Sequence, residues 1–299
     1  DIRFVTFEGS ASRTRRMNHF RYLRRYTGPV KAAILDWSGT TADKYVLAPA
    51  VVFRQVFENQ GVPISMAEAR GPMGLRKDLH IQKLTEHPAI RQRWHEKHGA
   101  FPSQKDVDVM YEDFVPAQLE CLREYATLLP GCAEATQRLQ KDLNIKIGTS
   151  TGFTKSMVAI LHEEAKKQGY HPDVTVAGDE VINGVRPKPF MVYRNLDLLD
   201  VHPIQSVVKV DDTTSGVEEA LEAGCWGVGV SRYSNYMDID SLEHEQQLSA
   251  EELEERNQKS KQLLWKCGAH YVIDSIIELP DVVKDINQRL ARGETPQSS

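Results

Sequence analysis

The stretch Lys31-Ala-Ala-Ile-Leu-Asp36-Trp-Ser-Gly-Thr-Thr41 sets four apolar residues ahead of an acid, a glycine and two hydroxyls. An unbroken apolar run such as Ala32 to Leu35 suits a parallel strand buried on both faces. Asp36 then stands at the carboxyl end of that strand, the edge at which open α/β sheets bind their ligands. Taken alone, the same pattern also describes an acid that caps the following turn. Three stretches further along the chain bear on the choice.

The first is Ile145-Lys-Ile-Gly-Thr-Ser-Thr151-Gly152-Phe153-Thr154, a strand ending in hydroxyls and a glycine, with a helix expected from Lys155. Hydroxyls and backbone N–H groups at a helix start either bind phosphate oxygens or cap the helix. After a third strand over 172–177 comes Gly184-Val-Arg186-Pro-Lys188-Pro189, a stiff loop that aims a cation. Arg186 or Lys188 can neutralise a phosphoryl dianion there, or remain a surface charge. The last stretch, Ser206-Val-Val-Lys-Val210-Asp211-Asp212, is a buried strand closed by two carboxylates and followed by a helix over 217–223. Hard oxygen ligands at a strand end suit Mg2+, which takes one or two carboxylates plus phosphate. Strands at 226–230 and 271–273 complete an α/β reading: a Rossmann-like core around a parallel sheet.

The block 46–128 reads differently. Val52, Phe53, Val56 and Phe57 recur at helical spacing, Gly61-Val-Pro63 stops that helix, and Ser65-Met-Ala-Glu68 is a capping box. Gly71, Pro72 and Gly74 interrupt the next helix, so Lys77 falls in the first turn of a restarted one, with His80 on the same face. A helix start and burial both disfavour a protonated amine, the environment a nucleophilic lysine needs. An exposed helical lysine would be only a solvated charge. Helical material around Trp94 and over 107–125 continues the block without a strand. The expected organisation is therefore a basic extension (1–30), a core (31–45 and 129–292), an inserted helical cap (46–128) and a polar, disordered tail (293–299).

Composition narrows the function classes. Across 299 residues 26% are charged and the net charge is −5, which leaves no nucleic-acid footprint. No apolar segment approaches the roughly 20 residues that span a bilayer. Cys121, Cys132, Cys225 and Cys267 are scattered without a C-x-x-C pair, a usage that fits a reducing compartment and predicts a cytoplasmic protein. The arginines at 3, 13, 15, 16, 21, 24 and 25 admit an organellar transit peptide as the alternative to a surface arm.

An Asp at the first strand end, a hydroxyl at the second, a cation in a loop and acids at the fourth together resemble the haloacid dehalogenase superfamily. Its members use an aspartate nucleophile on phosphoryl groups with magnesium. More specifically, Asp36-Trp-Ser-Gly-Thr-Thr, Glu68-Ala-Arg-Gly-Pro-Met-Gly with Lys77 and His80, Thr151-Gly152, Val208-Lys-Val-Asp-Asp-Thr213 and Gly268-Ala-His-Tyr-Val resemble the phosphonoacetaldehyde hydrolase family, from about Val30 to Gly293.

That resemblance implies hydrolysis of a P–C bond to acetaldehyde and phosphate during 2-aminoethylphosphonate degradation. It implies Asp36 and Lys77 as catalytic, through an aspartyl-phosphate and a Schiff base. Thr151, Gly152, Arg186, Met73 and His80 are implied as substrate-binding, with His80 as a proton shuttle. Mg2+ is implied on Asp36, the Ser38 carbonyl and Asp212, with Asp211 as an outer partner, and the assembly as a homodimer. Ser38 stands where phosphatases of the superfamily carry a second aspartate that protonates an alkoxide, work a serine cannot do at neutral pH. It also stands where alanine is common among phosphonoacetaldehyde hydrolases, and Phe153 where some have tyrosine. An ester phosphatase or mutase, and a non-catalytic phosphoryl binder, are the competing classes.

Overall fold

The computed structural model describes residues 25–297. Residues 1–24 and 298–299, and with them the reading of a targeting arm, lie outside the described residues.

The chain enters β1 (Ala32–Leu35), all four residues of which are buried. The other strands are β2 (Lys146–Ser150), β3 (Val174–Val176), β4 (Val207–Asp211), β5 (Trp226–Val230) and β6 (Tyr271–Ile273). Every pairing is parallel, in the order β3-β2-β1-β4-β5-β6. β4 and β5 are buried along their whole length, as β1 is, which accounts for their continuous apolar runs. β1 lies between β2 and β4, so the connections leave it in opposite directions and open a crevice at its carboxyl end. The register sets Leu35 level with Thr149 on one side and Val210 on the other. The loops after β1, β2 and β4 therefore emerge together.

Between β1 and β2 run the helices α1 (Leu47–Asn59), α2 (Met66–Arg70), α3 (Lys77–Glu86), α4 (Pro88–His98) and α5 (Gln104–Cys121), with no strand among them. The Ser65 capping box forms as the sequence predicts, with the Ser65 hydroxyl accepting from the Glu68 N–H at 3.1 Å and the Glu68 carboxylate from the Ser65 N–H at 2.8 Å. Phe53, Phe57, Ile81, Trp94, Met110 and Phe114 pack a core that continues into the apolar face of the sheet. The helices between strands are α6 (Cys132–Lys141), α7 (Lys155–Lys167), α8 (Phe190–Leu199) and α9 (Thr214–Ala223), followed by α10 (Leu242–Gln247), α11 (Ala250–Lys266) and α12 (Leu279–Ala291). Among the described residues no helix is long and apolar enough to cross a membrane.

One expectation is corrected. The segment from Gly293, read as a disordered tail because it is polar, folds back on the core through Gln297. His270 Nε2 bonds the Pro296 carbonyl at 2.7 Å, the Gln297 amide donates to Gly224 O at 2.9 Å, and Glu294 accepts from Arg289 at 2.8 Å. Polarity did not mean a free tail over 293–297, because Glu294, the Pro296 carbonyl and Gln297 each find a partner on the folded core.

Candidate active site

Just past β1, Asp36 is 5% exposed and its N–H donates to Val210 O at 3.0 Å, holding it level with β4. The next turn is wound on one carbonyl: the N–H groups of Thr40, Thr41 and Ala42 all donate to Trp37 O, and the Thr41 hydroxyl donates to Asp36 O at 2.8 Å. Gly39 has φ +77°, and a Cβ there would lie 2.5 Å from Asp212 Oδ2. Only glycine lets the two strand-end acids approach so closely.

Arg186 is the cation that reaches them. Its two terminal nitrogens meet the Asp36 carboxylate at 2.9 and 3.1 Å; one of them also donates to Ser150 O at 2.8 Å and pairs with Asp211 Oδ2 at 3.0 Å. Lys188, the other candidate, points to Asn183 O and takes no part. Both oxygens of Asp211 are occupied: Oδ1 by the Thr213 N–H and hydroxyl, Oδ2 by Arg186 and the Lys209 amine at 2.5 Å. Burial works to raise this carboxyl, but Arg186 and Lys209 outweigh it and hold it below the usual range.

Asp212 differs. One oxygen accepts the Asn235 N–H at 2.9 Å, and the other, Oδ1, is buried without a partner. Burial, then the charges of Asp211 and Asp36, push its carboxyl well up. Oxygens of Asp36, Asp211 and Asp212 lie within 4.8 Å of one another. A bare buried carboxylate oxygen in a cluster of acids is what a hard divalent cation satisfies, so the donor set fits Mg2+. Each Asp211 oxygen already takes two donors, whereas each Asp36 oxygen meets one guanidinium nitrogen and Asp212 Oδ1 meets none, so Asp212 and then Asp36 are the better-placed carboxylates.

Opposite these acids lies Lys77, delivered by the first turn of α3 and only 5% exposed. No hydrogen bond or ion pair engages its amine among the described residues. The amine sits 4.5 Å from the centre of the Phe153 ring and 5.8 Å from that of Phe53. Burial lowers it to about 8, with the attraction of Asp36 opposing. A lysine in this state supplies free amine near neutral pH.

A narrow cleft unites these groups. Asp36, Ser38, Met73, Lys77, Thr151, Gly152, Phe153, Arg186 and Asp212 all face it. His80 does not. It lies fully buried behind Lys77, stacked on Phe53 at 3.7 Å, with Nε2 donating to Ala69 O at 2.8 Å. Burial pushes its ring well below the usual histidine value, so it is neutral at pH 7. The helical spacing placed it on the right face of α3 but one turn too deep.

The sequence reading passed over three buried charged groups. Lys209 interrupts the apolar run of β4, and Glu219 of α9 meets both Lys209 and Arg186. A charge in a strand buried on both faces was the available signal, since such a group must be paired. Asp43, at φ +55°, accepts the N–H groups of Leu47 and Ala48 at 3.0 and 3.2 Å and so starts α1; burial raises its carboxyl to about 7. Tyr45 and Val46 follow with φ +64° and +55°, unusual for any residue with a Cβ and an outlier for a β-branched one. That turn puts Val46 in the cleft wall.

Residues 33–230 match the family model described as haloacid dehalogenase-like hydrolase. The chain is 41% identical to a phosphonoacetaldehyde hydrolase of Syntrophobacter fumaroxidans, over 91% of this chain and 97% of that one. It is 42% identical to one of Paraburkholderia xenovorans, over 89% and 99%. A crystal structure of a phosphonoacetaldehyde hydrolase-like protein from Oleispira antarctica superposes with a TM-score of 0.88 at 39% identity, covering 93% of this chain and all of that one.

Proposed function

This chain belongs to the phosphonoacetaldehyde hydrolases of the haloacid dehalogenase-like family, and we propose that it releases acetaldehyde and phosphate from phosphonoacetaldehyde through a Lys77 imine and an aspartyl-phosphate on Asp36. One observation carries the reading: a buried, unpaired lysine amine faces the aspartate–arginine pair across a cleft in which Ser38 takes the place of an acid. A P–C bond would expel a carbanion, and no general acid at Ser38 could help it. A protonated imine can, by accepting the electron pair.

The chain's groups divide the work as follows. The neutral Lys77 amine adds to the aldehyde carbon, water leaves, and a protonated imine remains. Asp36 attacks phosphorus in line; the P–C electron pair moves toward the iminium nitrogen and leaves an enamine. Protonation at carbon and hydrolysis free acetaldehyde and restore Lys77, while water cleaves the aspartyl-phosphate. Arg186, the Thr151 hydroxyl and the Gly152 N–H hold phosphoryl oxygens, and Arg186 shares its guanidinium between them and Asp36. Met73 and Phe153 wall the aldehyde end. His80, neutral and outside the cleft, supports Lys77 from behind in this reading rather than moving protons. Asp36, the Ser38 carbonyl and Asp212 would hold Mg2+, which supplies positive charge against the phosphoryl dianion. The homodimer that the resemblance implies belongs to the same reading.

The test compares wild type with Lys77→Arg, which keeps the charge but cannot form the imine. Wild type should release both products in equal amounts and, under borohydride with substrate, carry a two-carbon adduct on Lys77; the variant should do neither. Phosphate release that survives Lys77→Arg would discard the imine and favour an ester phosphatase.

A further inference from the structure

Behind the cleft, out of reach of any ligand, lies a second pair of opposite charges. Glu219 Oε2 accepts from Arg186 Nε at 3.3 Å, and Lys209 Nζ lies 3.8 Å from the same oxygen and 2.5 Å from Asp211 Oδ2. The side chains of Glu219 and Lys209 are 0% exposed, that of Arg186 1%, and neither Glu219 nor Lys209 lines the cleft. Glu219 Oε1 has no partner. As a source of stability such a buried pair is a poor choice, because desolvation offsets most of its attraction.

Its geometry suggests another use. A guanidinium is a rigid planar fork, so fixing the Nε–H direction also fixes both terminal nitrogens. We propose that Glu219 is a positioning residue that grips Arg186 by its Nε edge, so that both terminal nitrogens face Asp36 and the phosphoryl group. Lys209 completes the device: it lies within reach of Glu219 and Asp211, the two acids that flank the guanidinium on the side away from the cleft. The inference rests on Arg186 as the phosphoryl ligand of the reading above, and it does not require P–C chemistry.

The experiment places Glu219→Leu and Glu219→Gln in two backgrounds, wild type and Arg186→Lys. A lysine keeps the charge but has no fork to orient. kcat and KM for phosphonoacetaldehyde are measured separately, with binding of inorganic phosphate by calorimetry beside them. Misaligning the guanidinium should lower kcat by ~10- to 100-fold in Glu219→Leu, with a smaller change in KM, because the loss falls on transition-state charge. Glu219→Gln, which still presents an oxygen to Nε, should recover most of the loss. In Arg186→Lys the leucine should add nothing, the non-additivity of two groups acting as one. Equal fold-losses in both backgrounds, or kcat per folded molecule unchanged, would overturn the inference. If Glu219→Leu does not fold, Glu219→Asp, which withdraws the carboxylate by one methylene, carries the same comparison. Should wild type release no acetaldehyde, the P–C reading fails on its own. Phosphate binding then still decides this one: it should weaken with Glu219→Leu beside Arg186 and not beside Lys at 186.

Discussion

In the proposed reaction, Lys77 concentrates the chemistry in one ionisation. Burial brings its amine to about 8, so near pH 7 most of it is protonated and unreactive. The free-amine fraction rises by about tenfold per pH unit until it levels off near the pKa. The rate constant kcat/KM for phosphonoacetaldehyde should therefore climb with unit slope below about 8 and flatten above it. A profile flat from pH 6 to 9 would remove the free amine from the rate-determining sequence. Stability follows the same group. The folded pKa lies below the unfolded value, so between about 8 and 10.5 the unfolded chain binds more protons and the native state gains stability as pH rises. Below about 8 the native state bears the full cost of a buried ammonium. From sequence, the position of Lys77 at a helix start was legible because Gly71, Pro72 and Gly74 punctuate the chain. Its burial was not legible, since that depends on Phe53 and Phe153 arriving from elements far away in the chain.

At the scale of elements, the loop before α3 seats on the sheet edge with little clearance. A Cβ on Gly152 would lie 2.7 Å from Leu75 O, and one on Gly74 would lie 2.3 Å from Ser215 Oγ. The first contact is with backbone, which cannot swing aside. Gly152→Ala should push the Met73–Leu75 loop outward, carrying Lys77 with it. Expected are a destabilisation of ~1–3 kcal/mol, the usual range for overpacking, and a drop in kcat well beyond that loss of folded protein. Urea denaturation and steady-state kinetics on the folded fraction separate the two; unchanged kcat would show that the loop has room. In the sequence, Gly152 reads as a phosphate-loop glycine. Its second reason for being glycine, the close approach of the insert, is a contact between segments that no local pattern announces.

At the scale of the whole molecule, Arg70 at the end of α2 ties the helices between β1 and β2 to the core by polar contacts. Although only 4% exposed, it reaches the turn after β5, where it pairs with Asp240 at 2.5 Å and Asp238 at 3.3 Å and donates to Ile239 O. Asn235 from that turn donates to Arg70 O at 3.3 Å, while its own N–H holds Asp212. The insert and the candidate metal ligand thus share one turn. Arg70→Met keeps the packing volume and removes the bonds. It should cost ~1–3 kcal/mol, with faster hydrogen exchange over residues 66–80 than over β1 and β4. Uniform exchange across the molecule would mean that Arg70 stabilises the fold without clasping the insert.

What the sequence determined by itself is what local rules govern. Strand positions, the parallel sheet, the helical run between β1 and β2, and the candidates Asp36, Lys77, the Arg186–Lys188 loop and the Asp211–Asp212 pair follow from apolar runs, punctuation and motif order. Each of those is set by neighbours in the chain. The resemblance favoured Arg186 and Asp212; the folded chain is what brings Arg186 and not Lys188 onto Asp36, leaves Asp212 with an open oxygen, keeps His80 out of the cleft, folds back the polar tail through Gln297, and sets Lys209 and Glu219 behind the arginine. These depend on burial and on partners distant in sequence. The energy of a charge depends on what surrounds it in space, and only the folded chain supplies those surroundings.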